Sequence, residues 1–487
     1  MDAQTILGIK PALNQFLRTF DGRMGRVTNR RHLETYVRGQ LSDLDRKSIE
    51  PIADAAGVSS RTLQEFLSLL RWDEEATRDV VQQRVAGDHA DPHSVGIIDE
   101  TRFHKQGKKT ACVQKQYCGS RGKLENCVVS VHLGYAVGDF HTLLDGELFL
   151  PEETWSNNRV RCRAAGIPDD VVYRPKWQIA LGQVQRALSN GVRFGWFTFD
   201  AYYGGTPAFL RELEALGQNF VAEIPVNFYG WTQPPEILYR DHARDKAGVS
   251  NRHRKPRLKV KNAKVGQVCN VFKHSPLFHK VPWEKYRVKE MTQGPLVVEA
   301  KRIPFWIKDA DGPPSRPYQL FIVRPVLQPD EVKFFLSNAT ALTPTEVLLL
   351  VAYSRWRIER LFQDTKTELG LDHFEVRKYI SIQRHFILTC VSHLFLAEFC
   401  LKHREKKSGP DRLPNTLRHS SLGPHLEPAR TMLRTPGRVD QHPTETDATT
   451  QRSCAQETSQ TDPTEITRNR PDIAGLPHLS LAANIAV

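Results

Sequence analysis

The spacing of apolar positions changes character several times along the 487 residues. Residues 1–92 read as helical and strand-poor. From residue 94, apolar runs at 95–98, 110–117 and 126–136 are separated by the turn-rich pieces Lys105–Lys109 and Gly119–Lys123. With a further strand over 140–150, that is a run of hairpins. Helical spacing returns at 176–190 through Ile179, Val184 and Leu188. A strand over 194–200, a helix near 206–216 and a strand over 220–224 follow. Hairpins followed by strand–helix alternation predict an α/β fold with a mixed sheet and flanking helices.

Residues 226–340 break that alternation with strand-like pieces at 266–272, 295–303, 319–323 and 332–336, which predict a β-rich insertion. Helices return over 341–400. The segment 401–487 contains no Phe, Trp or Tyr and is rich in Pro, Thr and Arg. It cannot bury enough apolar area to offset its ordering entropy, so a disordered C-terminal tail is expected. The expected organisation is a helical N-terminal region (1–92), an α/β core split into 93–225 and 341–400, the insertion and the tail.

Two local patterns add detail. In Ile52–Leu67, small residues precede Gly57, which supplies a tight turn. Val58 is expected to plug the core and Ser59 to cap the next helix. This is a helix-turn-helix pattern, which would set Arg61, Thr62 and Gln64 at the start of a groove-reading helix. An ordinary helical hairpin has the same pattern. The run Arg252–Lys264, with Arg254, Lys255 and Arg257, contains no acidic residue. It reads as a solvated loop or, in this context, as one that tracks phosphates.

Lys and Arg exceed Asp and Glu by 68 − 55 = 13. A basic surplus suits a polyanion, nucleic acid above all. The eight cysteines form no C-x-x-C pair, so no zinc ribbon is indicated, and most read as small core residues in a reducing cytosol. The N-terminus lacks the basic-then-apolar pattern of a signal peptide. The most apolar stretch, Phe386–Cys400, contains Ser392, His393 and Glu398. It falls short of the roughly 20 apolar residues of a membrane span and is expected to be a buried helix.

Three carboxylates stand out. Asp99 and Asp200 each end an apolar run, which places them at the C-terminal edge of buried strands, where α/β sheets bind ligands. Glu359 lies in the helical stretch Tyr353–Lys366. At about 100° per residue, Arg355, Glu359, Phe362 and Lys366 share one face and Asp364 points away. Taken singly, the aspartates are turn residues and the helix face is a salt-bridged surface. Together they suit Mg²⁺ or Mn²⁺, and two such ions roughly 3.5–4 Å apart can drive phosphodiester chemistry.

Several blocks resemble bacterial insertion-sequence DDE transposases: Ile98–Gly107, Gln116–Gly119, Asp200–Gly204, Glu331–Asn338 and, most specifically, Arg355–Phe374. The resemblance spans roughly residues 20–395. It implies a retroviral-integrase-like (RNase H-like) fold interrupted by a β-rich insertion between the second aspartate and the glutamate. It also implies that Asp99, Asp200 and Glu359 bind two metal ions, and that Arg355 and Lys366 hold phosphates of the element end. Tyr353, which would contact DNA near the cleaved phosphate, sits one residue closer to the arginine than the family pattern. The family often stacks an insertion-domain tryptophan on a flipped base, for which Trp283 and Trp306 are both available. The implied partners are double-stranded DNA (element ends and target) and a second copy of the chain when bound to DNA. The implied setting is the bacterial cytoplasm, at the nucleoid, with no membrane. The rival readings are a metal-dependent nuclease and an inactive, transposase-derived DNA-binding protein.

Overall fold

The computed structural model describes residues 3–118, 122–238, 257–259, 265–291, 294–308 and 316–405. The expected tail therefore lies outside the described residues, save for the end of the last helix.

The chain opens on α1 (Ala3–Arg18), α2 (Asp21–Met24), α3 (Val27–Leu41), α4 (Ile49–Ala55), α5 (Ser60–Ser68) and α6 (Glu74–Asp88). The start of α6 is fixed by Asp73, whose side chain accepts from the Ala76 N–H at 2.8 Å, with Glu74 and Glu75 at the positive end of the helix dipole. Between α4 and α5, Gly57 adopts φ +66°, a left-handed conformation that glycine takes without strain. Two details differ from the sequence reading. Val58 is 38% exposed and plugs nothing. Ser59 occupies the N-cap position of α5, but its side chain makes no capping bond. The core there is supplied instead by Leu63, Phe66 and Leu67 of α5.

Next come β1 (Val95–His104), β2 (Gln114–Cys118), β3 (Lys123–Val137), β4 (Phe140–Leu148), α7 (Arg159–Ala164), α8 (Lys176–Ser189), β5 (Trp196–Phe199), α9 (Ala201–Gly204), α10 (Pro207–Ala215) and β6 (Phe220–Glu223). Strand β1 runs antiparallel to β3 and parallel to β5, and β5 runs parallel to β6. Strand β4 pairs with β3. The order β4-β3-β1-β5-β6, with the last three parallel, is a mixed α/β sheet that fits an RNase H-like DDE fold.

Beyond β6 lie β7 (Tyr229–Trp231), β8 (Ile237–Leu238), β9 (Arg257–Leu258), β10 (Gly266–Gln267), α11 (Val268–His274), α12 (Pro276–Lys280), β11 (Glu284–Met291), β12 (Gly294–Ile307), β13 (Tyr318–Pro325) and β14 (Lys333–Ser337). Most of these strands extend the same sheet. Strand β14 pairs antiparallel with β6, and β13, β12 and β7 follow outward. Its buried Phe334, Phe335 and Leu336 join the hydrophobic core that also contains β1 and β5.

The chain then forms α13 (Thr345–Ser354), α14 (Trp356–Thr367) and α15 (Tyr379–Glu405). Helix α15 is long and apolar enough to cross a membrane by composition, but its apolar stretch is two-thirds buried inside the protein. Its polar residues meet partners from the N-terminal helices: Tyr36 Oη lies 2.9 Å from His385 Nδ1, Gln40 Nε2 donates to Thr389 at 2.9 Å, and Arg84 Nε donates to Glu398 at 2.7 Å. Phe16 packs its ring 5.4 Å from that of Phe395. The N-terminal helices thus share one core with the sheet and its covering helices.

Candidate active site

Strand register brings the two aspartates together. Ile98 of β1 pairs with Phe199 of β5, so Asp99 and Asp200 are the next residues on neighbouring parallel strands. Asp99 Oδ1 accepts from the Glu100 N–H at 2.7 Å. Asp200 caps α9, accepting from the N–H groups of Tyr202 at 3.0 Å and Tyr203 at 3.4 Å. The short turn that follows depends on Gly204, where a Cβ would stand 2.0 Å from the Glu223 carbonyl oxygen.

A single guanidinium gathers the carboxylates. Arg355 Nη1 lies 3.3 Å from Asp99 Oδ2, its Nη2 lies 3.7 Å from Glu359 Oε1, and its Nε lies 3.8 Å from Glu223 Oε2. Burial, then the neighbouring Asp200 charge, push the Asp99 carboxyl up to about 7, against the Glu100 N–H and Arg355, which pull it down. Burial also raises Asp200, against the Tyr203 N–H. Two adjacent, partly desolvated carboxylates are a donor set that gains from a divalent cation, which relieves both their repulsion and their burial.

Glu359 is placed differently from the aspartates. It projects from the first turn of α14 and is 69% exposed, against 15% for the Asp99 side chain. Among the described residues, no three His, Cys, Asp or Glu side chains converge closely enough to hold one ion. The aspartate pair therefore fits a divalent cation as it stands, while Glu359 meets Asp99 through the shared Arg355.

The glutamate stretch differs from the sequence reading in its continuity and in Phe362. It is not one helix. Arg355 (φ −55°, ψ −32°) joins α13 to α14. Tyr353 lies in α13, with its ring 6.3 Å from that of Phe335. Burial and then the Glu223 charge push its hydroxyl up to about 12. Phe362 is buried against His132 rather than presented beside Glu359, with ring centroids 5.4 Å apart. Lys366 lies 5.6 Å above the Phe103 ring, and Asp364, on another side, pairs with Arg360 at 2.8 Å.

In α5, Arg61 and Gln64 are exposed and Thr62 is half-buried. Arg61 pairs with Glu65 at 2.9 Å. Arg254 and Lys255 lie outside the described residues, and Arg257 begins the short strand β9. Trp283 is packed, with Arg324 4.1 Å and Lys301 5.1 Å from its ring centre. Trp306 pairs across the sheet with Trp231.

Two participants were missed in the sequence. Glu223 ends β6 just as Asp99 and Asp200 follow their own apolar runs, so the same strand-end signal was present. Tyr203, whose N–H bonds Asp200, is fully buried, and among the described residues its hydroxyl has no hydrogen-bond partner. Nothing in its spacing marked it.

Parallel strands β1, β5 and β6 carry Asp99 just past the β1–β5 pairing, Asp200 just after β5 and Glu223 at the end of β6, and this mixed sheet fits a DDE endonuclease fold. In agreement, a family model described as DDE superfamily endonuclease matches residues 19–295, more than half of the chain, and the chain belongs to that superfamily. The match includes Asp99 and Asp200, and Glu359 lies beyond it. The chain is also 26% identical, over 349 residues, to a probable transposase for insertion sequence element IS701 from Microchaete diplosiphon, covering 71% of this chain and 76% of that one. Members of the superfamily use divalent metal ions.

Proposed function

We propose that the chain is the transposase of an insertion sequence, which binds the terminal inverted repeats of its element, cuts there and joins the freed end to target DNA. The observation that carries the reading is the register of β1 and β5, with Asp99 and Asp200 side by side next to the Arg355–Glu359 pair. The likeness to the IS701 transposase supports the choice of transposition over plain nuclease activity.

In this reading Asp99, Asp200 and Glu359 hold two Mg²⁺ or Mn²⁺ ions. The ions supply activation of the attacking oxygen and stabilisation of the leaving one. Arg355 and Lys366 hold phosphates of the element end. Tyr353, half-buried near Phe335, is assigned the contact to DNA near the cleaved phosphate. Hydrolysis of the phosphodiester leaves a 3′-OH, which then attacks a target phosphodiester in line and displaces the target's own 3′-oxygen. Holding both DNA segments in one assembly makes the second step effectively intramolecular. Two copies of the chain bring the two ends together, in the cytoplasm at the nucleoid. The α4–α5 pair, through Arg61, Thr62 and Gln64, and the loop with Arg254, Lys255 and Arg257 add contacts to the element end.

The test is incubation of the full chain with Mg²⁺ and duplex DNA carrying the repeats that flank its gene. Cleavage at the repeat boundary and joined products are expected. Cutting without end preference would identify a nuclease instead, and a shifted but uncut duplex would identify a DNA-binding protein.

A further inference from the structure

Away from the carboxylates, the described residues enclose a cleft of about 830 Å³ where three distant segments meet. One wall is the loop Lys105–Thr110 between β1 and β2. The second is Asp372–Arg377 between α14 and α15, and Arg46, between α3 and α4, supplies the third. None of Asp99, Asp200 or Glu359 lines it.

The cleft is built rather than incidental. Lys105 Nζ donates to the Phe374 carbonyl at 2.7 Å and lies 3.5 Å from the centre of its ring. The Ala111 N–H donates to the Arg377 carbonyl at 2.9 Å, tying the first two walls again. Arg46 is paired with Glu375 at 2.6 Å. Lys108, Lys109 and Arg377 then remain exposed on the rim, with no ion pair to any described residue. Among the described lining residues the carboxylates are Asp372 and Glu375, and Glu375 is already taken up by Arg46.

A smaller cleft of about 270 Å³ adjoins this one, sharing Phe374 and Glu375, and is lined by Ser60 and Gln64 at the start of α5. Through Phe374 and Glu375 the larger cleft therefore adjoins the helix that carries the exposed Arg61 and Gln64, with Glu50 also lining the smaller one. Three exposed cations with no ion pair among the described residues, beside an exposed helix start, suit the negative charge of a duplex backbone. Inside, burial holds the Lys105 ammonium down to about 8, a cost that a nearby phosphate would offset.

We propose that this cleft binds the sugar–phosphate backbone of double-stranded DNA, with Lys108, Lys109 and Arg377 as the phosphate contacts and α5 alongside. The inference rests on the reading of the chain as a DNA-cutting enzyme. It adds a docking site built from the β1–β2 loop and the segment after the glutamate helix.

The experiment titrates a labelled 40-base-pair duplex from the DNA flanking the gene with full-length wild type, Lys108→Ala/Lys109→Ala and Arg377→Ala, without divalent metal, between 50 and 200 mM salt. Each lost phosphate contact should flatten the salt dependence of log K by about 0.9, so the double variant loses about 1.8. Its affinity near 0.1 M salt should fall on the order of 10- to 100-fold, with melting temperature unchanged. Wild-type Kd and salt slope in both variants, while wild type still cuts with Mg²⁺, would remove the cleft and leave the function reading. Flattened slopes in the variants, with a wild type that never cuts, would remove that reading and keep the cleft. Tighter wild-type binding to a single-stranded RNA competitor, lost in the variants, would overturn the assignment to duplex DNA.

Discussion

At the residue scale, Arg355 stands out because it touches Asp99, Glu223 and Glu359 together. The aspartates were legible in the sequence because each ended an apolar run. Glu223 did so too, but its role depends on an arginine 132 positions later, which spacing along one strand cannot reveal. Gly204 closes the short turn after Asp200. Its backbone is ordinary, and the requirement is room beside the Glu223 carbonyl. Gly204→Ala should therefore shift α9 and with it the cap on Asp200. Thermal melting should report a loss of roughly 1–3 kcal/mol, the usual cost of overpacking, together with reduced cleavage. An unchanged melting curve would mean the turn relaxes freely.

At the element scale, the position of Glu359 is set by how α14 lies on the sheet. Ile358 and Leu361 of α14 pack over Gly134 of β3, where an added Cβ would stand 2.7 Å from Leu361 Cδ1 and 3.1 Å from Ile358 Cδ1. Gly134→Val should push α14 outward. We expect DNA cleavage to fall at least tenfold while duplex affinity, measured by anisotropy, changes little. Equal losses in both would point to general unfolding. The helical period around Glu359 was readable, but the break at Arg355 was not, since Tyr353–Lys366 contains no Gly or Pro to mark it. The α4–α5 turn was readable from Gly57 alone, whereas the burial of Val58 was a guess about tertiary packing, which left that side chain at the surface.

On the scale of the whole molecule, hairpins, alternation and the buried helix were visible as periodicity. That β14 would join β6, and so extend the central sheet through the insertion, was not, because pairing across more than 110 positions leaves no local trace. The same long-range packing buries His132, His385 and His393. Burial pulls them down to about 3, 4 and 3 respectively. Each is neutral in the fold and takes up a proton near 6.5 when unfolded, so acid favours unfolding. Their contribution is fully present above pH 6.5 and is lost as pH falls from there towards 3–4. By pH 5 each should cost about 2 kcal/mol relative to pH 7. Melting temperature should therefore drop steeply between pH 6.5 and 5, and His393→Gln, which removes one of the three groups, should flatten that drop. A melting temperature that is level over this range would contradict the burial of these rings.

The central claim is that Glu359, exposed and far along the chain from the aspartates, completes their centre. Single-turnover cleavage of the flanking-repeat duplex by wild type and Glu359→Gln, with binding measured on the same samples, tests it most directly. We predict that the variant binds the duplex within threefold of wild type and loses at least a hundredfold in Mg²⁺-dependent cleavage. Cleavage at the wild-type rate by Glu359→Gln would contradict it.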